Sequence, residues 1–178
     1  MILKQLHLKN FKQYSALELD FQEGLVGIVG RNGSGKSSIF EAVLLCLFGS
    51  NNTDKEFYKS SWAGPKDPVE LSLSFELNQK HHMVVRSFRG RAMTHKAELF
   101  DHEDKLIATG ASPVNQQVSE ILGMDKEAFT RSVFSGQKEL GIISGTRGEE
   151  RKKMVRKMVG LDHLDQIQKI IREDRNTV

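Results

Sequence analysis

Eight consecutive residues carry the clearest chemistry in the chain. Gly30-Arg31-Asn32-Gly33-Ser34-Gly35-Lys36-Ser37 satisfies G-x-x-x-x-G-K-[ST], and Ser38 adds a second hydroxyl. Glycines at these intervals let the backbone curl until successive N–H groups point inward as an anion nest. A lysine closing the curl reaches the β- and γ-phosphates of a nucleotide, and the neighbouring hydroxyl suits Mg²⁺. The pattern therefore predicts a triphosphate cradle of Asn32, Gly33, Ser34, Gly35, Lys36, Ser37 and Ser38, with Ser37 as the metal ligand. With glycine at about 7% of ordinary sequence, a chain this long matches by chance in roughly one case per hundred or fewer. No N-K-x-D tetrapeptide occurs, so the usual reader of guanine is absent.

Such a cradle works between a buried strand and the N-terminus of a helix. Leu25-Val26-Gly27-Ile28-Val29 is apolar on both faces, which predicts a central strand covered on both sides. After the motif, Ile39, Phe40, Val43, Leu44 and Leu47 fall at helical spacing, and Gly49 stands at a C-cap position. Upstream, Ile2, Leu6 and Leu8 read as the buried side of one strand. Leu17, Leu19 and Phe21, alternating with Glu18 and Asp20, predict another. Residues 50–68 form a polar loop carrying Tyr58 and Trp62. Val69, Leu71, Leu73, Phe75 and Leu77 then alternate strictly with polar residues, and 82–88 and 96–100 continue an antiparallel meander. From Ser112-Pro113 the pattern turns helical, with Val114, Val118, Ile121 and Leu122 on one face. Thr146 and Glu149 fit a capping box for a further helix ending at Gly160, and Leu164, Ile167 and Ile171 have the spacing of an incipient coiled coil.

Composition bounds the class. At 178 residues, with 38% hydrophobic and 28% charged residues, the chain is one domain's worth of polymer. Its longest apolar stretch, Ala42 to Phe48, is far too short to span a bilayer. The opening MILKQLHLKNFK lacks the uncharged block of a secretory signal, and one cysteine, Cys46, can form neither an intrachain disulfide nor a cysteine-based zinc site. The expectation is a soluble cytosolic protein. A formal net charge of +3 permits an anionic partner without demanding one.

The order of elements (antiparallel strands, central strand, phosphate loop, helix, meander, helices) resembles the first lobe of an ABC-type ATPase head. NGSGKSSIFEAVLLCLFG, with the opening LKNFKQY, is similar to the amino-terminal half of the SbcC or Rad-fifty double-strand-break repair ATPases; cohesin- and condensin-type SMC heads, RecF and RecN are close relatives. The pair Ser37-Ser38 followed by Ile39-Phe40-Glu41-Ala42 leans toward the SbcC branch. The implied fold class is α/β: an ABC-type P-loop NTPase lobe with a mixed sheet, an antiparallel meander plus helices, and the start of a coiled coil. Residues 1–160 would be the lobe and 161–178 the coiled-coil helix. By the same resemblance, Lys12 occupies the place of a basic residue, usually Arg, that reaches the nucleotide phosphates. Gln137 matches the Q-loop glutamine that touches Mg²⁺ and the attacking water, so Lys36 and Gln137 are the expected catalytic pair. Trp62 and Ala63 lie where relatives contact the nucleotide.

The resemblance implies ATP and Mg²⁺ as cofactors. It implies as partners a C-terminal lobe of the same protein, a second head that dimerises on ATP, an SbcD- or Mre-eleven-type nuclease, and double-stranded DNA, in the cytoplasm (nucleoid) or nucleus. The alternative is an SMC-type chromosome-tethering head; a Cys-x-x-Cys zinc hook in the coiled coil would favour repair, a hinge domain the tether. Neither a Walker B strand nor a signature loop is found: Phe134-Ser135-Gly136-Gln137 lacks the sequel of a signature, and Glu98 and His102 disqualify Ala97–Asp101. The expectation is a lobe that hydrolyses ATP only when completed by its other half. Arg86, Arg89, Arg91, His95 and Lys96 form a basic run that could track DNA phosphates or simply be a solvated surface. His81-His82 lacks metal-ligand spacing, and Cys46 reads as core packing.

Overall fold

The computed structural model describes residues 1–50, 55–133 and 148. Two compact units divide the chain, Met1–Leu122 and Gly123–Val178. The first holds β1 (Ile2–Phe11), β2 (Tyr14–Asp20), α1 (Lys36–Phe48), a short 3-10 turn at Lys55–Tyr58, β3 (Val69–Leu77), β4 (Lys80–Arg89), β5 (Thr94–Phe100), β6 (Leu106–Thr109) and α2 (Ala111–Leu122). In the second, α3 (Lys126–Ser132) is described; Asp125 caps it, its side chain accepting from the Ala128 N–H at 2.7 Å. Among the described residues no helix is long and apolar enough to cross a membrane.

Among the described residues six strands form one sheet in the order β2-β1-β3-β4-β5-β6, and each neighbouring pair is antiparallel. The β3–β4 hairpin is the backbone of the lobe, with pairing unbroken from Val69↔Phe88 to Leu77↔Lys80. Asn78 and Gln79 close it with φ of 51° and 63°, the left-handed pair that matches strand twist in a two-residue turn. Alternation does the sorting: Val69, Leu71, Leu73 and Phe75 of β3 are buried, as are Leu6 and Leu8 of β1, Val84 and Phe88 of β4, and Ala97 and Leu99 of β5. Onto this face pack α1, through Ala42, Val43, Leu45, Cys46 and Leu47, and α2, through Val114 and Val118. Each large side chain sealed here contributes roughly 1.5–3 kcal/mol of burial. α1 is apolar nearly all round because the sheet and α2 both cover it.

One expectation is corrected. Residues 25–29 form no strand and are largely uncovered: Leu25 is 103%, Val26 46% and Val29 96% exposed, and Ile28 is half-buried. A strand exists only where neighbours accept its backbone hydrogen bonds, and no described segment pairs with this one. The chain leaves the sheet at Phe21, whose N–H donates to the Lys4 carbonyl at 2.8 Å. The helix and coiled coil expected beyond residue 145, and the boundary at 160, lie outside the described residues.

Candidate phosphate-binding site

Residues 30–35 form the loop that α1 was expected to need, and Lys36 is the first helical residue. Gly33 and Gly35 hold φ of 81° and 101°, left-handed conformations open to glycine. A side chain at Gly35 would meet the Tyr14 hydroxyl at 2.5 Å and the Gln13 amide nitrogen at 2.6 Å. Position 35 therefore needs glycine for two reasons, torsion and space. The first N–H groups of α1 have no partner within the helix, so its N-terminus presents donors and about half a positive charge to the loop.

Lys36 Nζ donates to the loop's own carbonyls, Gly30 O at 2.7 Å and Arg31 O at 2.8 Å. An ammonium has three donors, so it can brace the curl and still meet an oxyanion. Ser37 is exposed at the helix start, while Ser38 is buried and donates to the Gln13 side-chain oxygen at 3.1 Å. Asn32, Gly33 and Ser34 are exposed. Among the described residues no group of three His, Cys, Asp or Glu could hold a metal. The Ser37 hydroxyl fits Mg²⁺ all the same, because that ion takes hard oxygen donors and fills most of its shell from phosphates and water.

Lys12 sits at the β1–β2 corner, at φ 49°, and forms an ion pair with Glu41 of α1 while its ammonium lies 4.1 Å from the centre of the Phe57 ring. In this conformation it ties the corner to the phosphate helix. The same corner holds the loop that carries Trp62 and Ala63: the Lys12 N–H donates to Tyr58 O, and the Ser60 N–H to Asn10 O, both at 2.8 Å. Tyr58, buried between Phe11 and Phe88, is the anchor of that loop, whereas Trp62 is 77% exposed. Ala63 closes a turn onto the Ser60 carbonyl at 3.1 Å. Corner, loop 58–64 and phosphate loop are thus one connected surface. Gln137 lies outside the described residues.

Gln13 and Tyr14 escaped the sequence reading. The Tyr14 hydroxyl donates to Ser34 O at 3.4 Å, and burial pushes its pKa above the ordinary value of 10. Neither residue type signals a nucleotide site; only their place beside Lys12, on the strand end that meets the loop, could have pointed to them.

The basic run splits by strand parity, which corrects its reading as one surface. Arg86 and His95 face inward, in phase with Val84, Phe88 and Ala97, while Arg89, Arg91 and Lys96 are exposed. Arg86 is fully buried and bonds the end of α1. His82, also buried, stacks on Phe75 at 5.4 Å, and burial holds its pKa below the usual value.

A family model described as an AAA domain matches residues 5–177. The chain belongs to the AAA domain family. Over 168 residues this AAA domain is 36% identical to the DNA double-strand break repair Rad50 ATPase of Methanocaldococcus jannaschii, covering 93% of this chain and 16% of that protein. It is 28% identical over 172 residues to the Rad50 ATPase of Methanosarcina acetivorans, again covering 93% of this chain and 16% of the relative. The chain thus spans less than a fifth of the length of these curated relatives. Among solved structures, one described as "Structural biochemistry of ATP-driven dimerization and DNA stimulated activation of SMC ATPases" superposes with a TM-score of 0.66 at 18% identity, covering 89% of this chain and 99% of that one. The AAA domain accordingly shares the fold of that structure.

Proposed function

We propose that this chain is the ATP-binding lobe of a DNA double-strand-break repair ATPase of the Rad50 kind. ATP lies along residues 30–38, with Lys36 on the β- and γ-phosphates and Ser37 on Mg²⁺. The Mg²⁺ supplies charge neutralisation at the transferring phosphoryl group. Ser38, Asn32 and the loop amides of Gly33, Ser34 and Gly35 hold the remaining oxygens; Lys12, Trp62 and Ala63 form the rim. Gln137 positions the attacking water. A second head completes each site and closes on ATP, and the resulting motion controls access of DNA to a partner nuclease. The exposed residues Arg89, Arg91 and Lys96 suit phosphate contact. The similarity to Rad50 ATPases favours the repair function over the SMC-type tether, whose support is a likeness of fold.

The observation that carries the proposal is the uncovered apolar segment Leu25–Val29 leading straight into a formed phosphate loop. A P-loop strand belongs inside a sheet, and among the described residues no strand flanks this one; in this reading the flanking strands come from a C-terminal lobe, and the site is divided between two pieces. Steady-state phosphate release decides the matter. The 178-residue chain alone is expected at background, and the full-length protein is expected to turn over ATP with Mg²⁺ and to lose at least 100-fold of that rate on Lys36→Ala, a loss of the order seen when one transition-state charge donor is removed. Turnover by the lobe alone, abolished by Lys36→Ala, would overturn the divided site.

A further inference from the structure

Arg86 is fully buried, and its guanidinium is aimed at the C-terminus of the phosphate helix. Nε donates to Cys46 O at 2.7 Å, and Nη2 to Leu47 O at 3.3 Å and to Asn115 Oδ1 of α2 at 2.7 Å. Nη1 lies 3.4 Å from His95 Nε2, which must be the unprotonated ring nitrogen to accept; the His95 ring stacks on Phe88 at 4.6 Å. Every described acceptor is neutral. Burial lowers the guanidinium pKa to about 10, which leaves the group charged at physiological pH.

A buried cation with no counter-ion among the described residues is a costly way to fill space, since an apolar side chain would do so with a smaller penalty. What an apolar residue cannot do is satisfy the orphan carbonyls at a helix end and oppose its negative pole. The planar fork fixes α1 along its axis and about it, because it grips two successive carbonyls of α1 and a side chain of a second helix at once. Gly49 leaves the room: a side chain there would stand 3.1 Å from Arg86 Nη1.

We propose that Arg86 is a positioning residue of the nucleotide site, a buried charged cap that sets where α1 stands and so where Lys36, Ser37 and Ser38 meet the phosphates. The two ends of α1 lie about 20 Å apart at 1.5 Å per residue, so Arg86 acts through the helix and touches no nucleotide. Asn115 makes the cap a strut to α2.

The inference rests on residues 30–38 being the ATP site. The test uses full-length protein carrying Arg86→Lys, Arg86→Met or Asn115→Ala, with ATP affinity, KM, kcat and melting temperature measured on each. Lysine keeps the charge but cannot span three acceptors. Loss of a charge-assisted bond at a helix end predicts a KM and Kd for ATP about tenfold higher in Arg86→Lys, with kcat per folded molecule lowered as Lys36 is misplaced. Asn115→Ala is expected to raise both about threefold by the same argument. A purely structural role would lower the melting temperature and the folded fraction at constant KM, and that result in Arg86→Lys overturns the proposal even if Arg86→Met fails to fold. Wild-type protein that binds no ATP would instead sink the nucleotide assignment itself.

Discussion

Gly49 shares one small volume with Arg86 and Asn115, and three constraints meet there. Its φ of 71° favours glycine, its N–H donates to Leu45 O at 2.9 Å, and a Cβ would sit 3.0 Å from Asn115 Oδ1. Gly49→Ala therefore adds left-handed strain and pushes on the fork that caps α1. It is expected to lower stability by about 1–3 kcal/mol, read from urea denaturation of the chain; a midpoint within error of wild type would show the cap to be slack. Sequence spacing already marked Gly49 as a C-cap. Arg86 was legible too, because it stands in phase with Val84 and Phe88, but charge drew it into a surface run. Parity along a strand outweighs residue type here, since a side chain cannot leave its face without breaking the ladder.

At the scale of elements, α1 is the piece on which the site depends, and Cys46 reports whether it is docked. The thiol is fully buried, and desolvation lifts its pKa from 9 to about 12, a shift opposed in part by Arg86. The folded state thus binds the thiol proton more tightly than the unfolded state. The resulting stability is fully present below pH 9 and is lost progressively from there to about pH 12. Alkylation by iodoacetamide at pH 8 is expected to be at least 100-fold slower than in denatured chain, because it requires opening of α1. Modification at the rate of a free thiol would mean that α1 undocks readily. The β1–β2 corner is the second decisive element. Its opening motif pointed to Lys12, but the pairing of Lys12 with Glu41 and the approach of Gln13 and Tyr14 to Gly35 follow from how corner and helix pack. Local pattern does not encode which residues meet across 20 or more positions.

For the molecule as a whole, the uncovered segment 25–29 is the main departure from expectation. Its composition is right for a buried strand, and Leu25 and Val29 are nevertheless almost wholly exposed. The divided site proposed above accounts for such a strip: a partner lobe would cover it in the assembled protein. Hydrogen exchange of residues 25–29 is therefore expected within seconds in the isolated chain. In full-length protein it should slow by at least 100-fold, the protection typical of strand amides in a packed sheet. Fast exchange in both would place the segment outside any sheet. By contrast, β3 and β4 should remain protected in either form, since their hairpin is closed by local sequence.

Short-range information settled the glycine-rich curl, the helix after it and the strict alternation of β3, because each is a matter of neighbouring torsions and period. The tertiary structure alone decided that Arg86 caps a helix, that Lys12 joins Glu41, that Gln13 and Tyr14 wall the loop, and that residues 25–29 stand open. Those outcomes depend on which surfaces are present to bury a side chain or accept a hydrogen bond, and sequence pattern records the need for a partner without saying where it stands.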